Sequence, residues 1–138
     1  PFGCADHSMP IQVMRFEDAA LYSVRELDVT TGDYGLLYTI DWFEGHINAV
    51  AMLDGGDATF YPLGSFNGHL CRFDAFHAVC YDEPLQYDKP NVGAVVGSTY
   101  YYSKSPGRDG GESFYFVRHI DTDSPEYGDT ALFAIAGD

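Results

Sequence analysis

Punctuation constrains this chain more than any other feature. From residue 19 onward, short aromatic and β-branched runs are broken again and again by Asp- and Gly-rich turns, and no stretch sustains a helical period. Such spacing predicts an all-β, antiparallel fold of roughly ten short strands, either a sandwich or a partial, open β-propeller. The runs fall at residues 11–16, 21–24, 34–41, 47–53, 58–63, 69–73, 77–81, 91–96, 98–103, 112–120 and 129–136. Within 34–41 the period of two puts Leu36, Tyr38 and Ile40 on one face, and Trp42 extends it. Pro62 has no N–H for a ladder, so it belongs near a strand end or on an edge. Residues 1–18 carry little pattern and read as an N-terminal arm, leaving 19–138 as a single all-β domain.

Charge narrows the partners. The formal net charge is −14, from 21 acids against seven bases. A field of that sign favours solubility and repels nucleic-acid phosphate and anionic lipid. No run is long and apolar enough to insert in a membrane as a helix. Fifteen of the acids are Asp, which suits a turn-rich chain because Asp closes turns with its own carboxylate. The chain starts at Pro1 without a basic and apolar leader, and reads as a processed protein or a piece of a longer one. No Asn-x-Ser/Thr site occurs after Asn48, Asn67 or Asn91.

Reactive constellations are missing from the sequence pattern. His7, His46, His69, His77 and His119 show no metal-binding spacing, and Gly64-Ser65-Phe66-Asn67-Gly68 is not a nucleophile elbow. Any two of so many acids could be paired on paper, which identifies no glycosidase site. The expectation is a non-enzyme without a resident cofactor or transition metal. Calcium is the one cation the sequence admits, at Asp121, Asp123 and Asp129. That stretch fails the EF-hand pattern, with Glu126 where Gly is needed and Leu132 where the closing Glu should stand.

Cysteine geometry is sharper. If Ala75-Phe76 forms the turn, residues 74 and 77 pair and Cys71 falls opposite Cys80, within disulfide range. Cys4 is then left over, for an alternative pairing or a bond to another chain. Trp42 and Tyr38 are the candidates for stacking on a sugar, although the parity of Trp42 also suits a core position.

Several short elements stand in a suggestive order. Leu21-Tyr22 leads to Thr31-Gly32, followed by Ile47-Asn48-Ala49-Val50, Leu70-Cys71-Arg72-Phe73-Asp74, Val92-Gly93-Ala94 and Tyr100-Tyr101-Tyr102. As a set they resemble a family of secreted β-propeller-type repeat domains of unassigned function, found in extracellular and cell-surface proteins. The resemblance implies an extracellular scaffold or recognition module. Roughly ten strands make at most two and a half four-stranded blades, so a propeller would remain open. Open edges invite pairing with another chain. The expected function is therefore an extracellular structural subunit, a homo-oligomer or filament built through edge strands and aromatic faces. The alternative is a carbohydrate-binding module, with calcium as a candidate aid.

Overall fold

The computed structural model describes residues 2–3, 11–15, 21–56, 59–103 and 114–130. Among them there is no helix, and twelve strands form three antiparallel sheets. The strands are β1 (Phe2–Gly3), β2 (Ile11–Arg15), β3 (Tyr22–Leu27), β4 (Tyr34–Ile40), β5 (Ile47–Asp54), β6 (Thr59–Phe66), β7 (His69–Phe73), β8 (Ala78–Cys80), β9 (Val92–Val96), β10 (Thr99–Ser103), β11 (Phe114–Arg118) and β12 (Glu126–Thr130). An N-terminal sheet runs β2-β3-β4 and a C-terminal sheet runs β12-β11-β10-β9. The central sheet holds β5 to β8 in chain order, with β1 added to β6. No sheet closes on itself. The all-β expectation holds.

Two apolar layers, one on each face of the central sheet, bind the three sheets together. On one side Tyr22, Val24 and Ile40 of the N-terminal sheet meet Ile47, Phe66, Cys71 and Phe73. On the other, Tyr100, Tyr102 and Val117 of the C-terminal sheet meet Ala49, Leu53, Leu63 and Leu70. Alternation along β7 explains the division: Leu70 faces one layer while Cys71 and Phe73 face the other. A strand covered on both faces must be apolar at successive positions, and Leu70-Cys71 is.

Three local features depart from the simple period. The β3–β4 register shifts between Val24 and Arg25, so Tyr38 pairs with Val24 but Leu36 with Arg25. Leu37 is the extra residue; it and Tyr38 pack in the core, while Leu36 is 56% exposed. The expected shared face of Leu36 with Tyr38 and Ile40 is thus broken by a bulge. Pro62 lies within β6 rather than at an end. It falls between the part of β6 paired with β1 (Thr59, Phe60) and the part paired with β7 (Leu63 to Phe66). A residue without an N–H is tolerated in that gap. Finally, the strand expected from residue 129 begins earlier, at Glu126, as β12 against β11. The expected strand beyond Thr130 lies outside the described residues.

The segment read as an arm contributes to two sheets: Phe2–Gly3 pairs with β6 and Ile11–Arg15 with β3. The turns follow Asp chemistry. Asp74 Oδ1 accepts the amides of Phe76 (2.7 Å) and His77 (3.0 Å), and Asp28 Oδ1 those of Thr30 (2.8 Å) and Thr31 (3.3 Å). The Phe76 amide is the main cause holding the Asp74 carboxyl below its ordinary range. Gly32 completes the second turn at φ 78°, a conformation that side chains resist.

Aligned strands expose a repetition. Leu21-Tyr22-Ser23-Val24-Arg25-Glu26-Leu27-Asp28 matches Phe114-Tyr115-Phe116-Val117-Arg118-His119-Ile120-Asp121 at Tyr, Val, Arg and Asp. Leu70-Cys71-Arg72 is a shorter version on β7. Val24, Cys71 and Val117 are all 0% exposed.

Candidate functional site: an open sheet face and an inter-sheet cleft

The junction of the central and C-terminal sheets is built at close quarters. The β5–β6 register shifts between Asn48 and Ala51, and Ala49 takes φ 53°. That bulge leaves the Ala49 carbonyl outside the β5–β6 ladder, where the buried Tyr100 hydroxyl donates to it at 2.6 Å. Gly93 of β9 lies against the same carbonyl: a Cβ there would come within 2.2 Å of Ala49 O and 2.7 Å of Tyr100 Oη. Connection 81–91 is tied in by Tyr102 Oη, which accepts from Gln86 N (3.0 Å), and by Tyr127 Oη, which donates to Glu83 O (2.8 Å).

At one end of this junction opens a cleft of about 540 Å³, walled by Tyr61, Arg72, Val79, Tyr81, Asp121 and Asp123 beside the Cys71–Cys80 disulfide. The Arg72 guanidinium lies 5.3 Å from the Tyr61 ring centroid and donates to Ile120 O at 3.4 Å. Tyr81 Oη donates to the same carbonyl. The cation is therefore engaged as a strut between sheets. The cleft has the volume of a small-molecule site.

The predicted residues distribute as follows. Cys71 and Cys80 are paired partners on β7 and β8 and form a disulfide, in the register derived from the turn. Cys4 lies outside the described residues. Trp42 is half-buried beneath the central sheet: its ring stacks on Phe66 at 6.3 Å and 8°, and its Nε1–H donates to Ala75 O at 3.1 Å. Tyr38 packs in the same layer. Both rings are partly buried against the same apolar layer. Asp121 and Asp123 line the cleft, whereas Asp129 stands on β12 opposite Tyr115. Among the described residues, no three His, Cys, Asp or Glu side chains are gathered as a metal ion requires.

The period of two singles out a surface the sequence reading overlooked. Tyr100, Tyr102 and Val117 point into the core, so their neighbours point away from it. Val92, Val96, Tyr101 and Phe114 are 60%, 67%, 36% and 37% exposed on that outer face, with Ala94 between them. Phe116 lies flat under the Arg118 guanidinium (4.5 Å) and against Gly128. A signal was present in the sequence: Val92-Gly93-Ala94-Val95-Val96 has no polar face, the mark of a strand meant to be covered on both sides.

Buried phenols give this region a pH signature. Burial is the first cause raising Tyr38 and Tyr127 to about 12, aided by Asp74 and Glu83 respectively. Tyr81, Tyr100 and Tyr102 are raised too, again by burial first. The unfolded phenol ionises near pH ~10, so the fold prefers the neutral form. The resulting stability is complete below about pH 10 and is lost as pH climbs through about 12. The melting temperature should fall across that window while phenolate absorbance rises late; a single titration step near pH 10 with unchanged melting would refute this.

Comparison with known proteins finds no protein family, curated protein or solved structure that matches this chain.

Proposed function

We propose that this chain is an extracellular association module, which works by binding its own kind and not by catalysing a reaction. The observation that carries the reading is the outer face of the C-terminal sheet, where large apolar side chains lie together and exposed in an otherwise acidic chain. Apolar patches of this kind mark interaction sites on proteins that are otherwise well solvated. The resemblance to secreted propeller-type repeats supports the extracellular setting. The disulfide agrees with an oxidising compartment, and among the described residues no helix is long and apolar enough to cross a membrane. The sugar-binding alternative is less favoured, since Trp42 and Tyr38 are partly buried against an apolar layer. Light scattering of the intact protein from low to high micromolar concentration tests the proposal. A mass that grows with concentration is the expected result, with a plateau for a closed oligomer and continued growth for a filament. A compact monomer at every concentration would overturn it.

A further inference from the structure

The central and C-terminal sheets are the same construction used twice, and one copy of a shared face is bare. Gly64 pairs with Cys71 as Tyr100 pairs with Val117, and Ser65 with Leu70 as Tyr101 with Phe116. Ala51 opposite Leu63 then corresponds to Val96 opposite Thr99. In the central sheet the face bearing Ala49, Ala51, Leu63 and Leu70 is covered by the C-terminal sheet. Its counterpart in the C-terminal sheet bears Ala94, Val96 and Tyr101, all exposed, beside the buried Phe116, and among the described residues no other sheet packs on it.

From this we infer that the bare face docks against the same face of a second copy, forming a two-fold pair. The inference rests on the association reading and names its surface. Charge favours this occupant. The face carries one cation and one anion, Arg118 paired across strands with Glu126, and is formally neutral in a chain of net charge −14. Two copies can therefore meet there with less repulsion than through acidic surface. A strongly basic partner would find little to hold it on such a face. A two-fold contact of this kind is self-complementary and closes at two copies.

The pair should be weak. Four strands about 4.8 Å apart and five residues long present roughly 300 Å² per copy. Together that is roughly 600 Å², well below the ~1,200 Å² of stable complexes, which implies rapid exchange at micromolar or higher concentration.

Sedimentation of the full chain with both Val92→Glu and Val96→Glu tests this, with Val29→Glu in the β3–β4 turn, 69% exposed, as the control at an exposed apolar position elsewhere. The expected result is a reversible monomer–dimer equilibrium, weakened about tenfold or more in the double variant, since burying unpaired charge costs more than 1.4 kcal/mol. The Val29→Glu protein should dimerise like the unaltered one. Amide exchange of the unaltered protein adds a readout independent of any variant's folding: raising concentration should protect residues 92–103 and 114–118. Dimerisation that survives the double substitution, or protection confined to other strands, would overturn this surface and leave the association reading standing. A monomer at all concentrations would overturn both.

Discussion

Replacing Gly93 by alanine is expected to destabilise the protein by about 3 kcal/mol, at the upper end of overpacking costs, because nothing near the new methyl can yield cheaply. The new Cβ would fall 2.2 Å from Ala49 O, a backbone atom in a bulged strand, and 2.7 Å from Tyr100 Oη. Making room requires β5 and β9 to separate, which breaks the Tyr100–Ala49 hydrogen bond and loosens the layer that joins two sheets. A marginal domain has about 5–15 kcal/mol in total, so valine at this position should prevent stable folding. Chemical denaturation of Gly93→Ala, with Gly32→Ala for comparison, checks the assignment to packing. Gly32 has open space around it, so its substitution reports only the strain of a positive φ. If the two variants lose equal stability, close packing is not what Gly93 provides.

Removing the Cys71–Cys80 disulfide should cost about 2–3 kcal/mol by chain-entropy arguments for a loop this short. That corresponds to a fall in melting temperature on the order of 10 °C. The bond joins paired residues near the edge of the central sheet, with the Cys71 side inside the core and the Cys80 side at the surface. Its loss should free β8, a three-residue edge strand, and widen the adjoining cleft. Melting with and without reductant measures the effect, and the Cys71→Ala/Cys80→Ala protein should match the reduced form. Equal melting in all three states would contradict the bond's stabilising role.

The hairpin that carries this bond shows how much can be read locally. A turn at Ala75-Phe76, capped by Asp74, leaves one register for the residues around it, and that register sets Cys71 opposite Cys80. The strand runs at 34–41, 47–53, 69–73 and 98–103 were legible for the same reason: period, composition and turn chemistry all act between near neighbours. The acidic stretch ahead of residue 129 hid the start of the last described strand, because its composition suits a turn or a strand equally. Pairing with β11 decided in favour of a strand from Glu126.

Trp42 and Val96 mark the boundary of what local pattern can reach. Parity admitted Trp42 to a core face or a ligand face; Phe66 and the Ala75 carbonyl, far away in sequence, made it core. Val96 reads as buried, but among the described residues its sheet has a neighbour on one side only, and it is exposed. The repeated Tyr-x-Val-Arg element was visible as letters, yet its meaning depended on seeing Val24 and Val117 at the same depth in two sheets. The sequence by itself determined the all-β class, most strands, the turns and the disulfide, because each depends on residues a few positions apart. Tertiary structure alone decided the Leu37 bulge, the tight seat of Gly93 on Ala49 and the bare face of the C-terminal sheet. Those arise from which sheet lies on which, and burial of apolar surface is blind to distance along the chain.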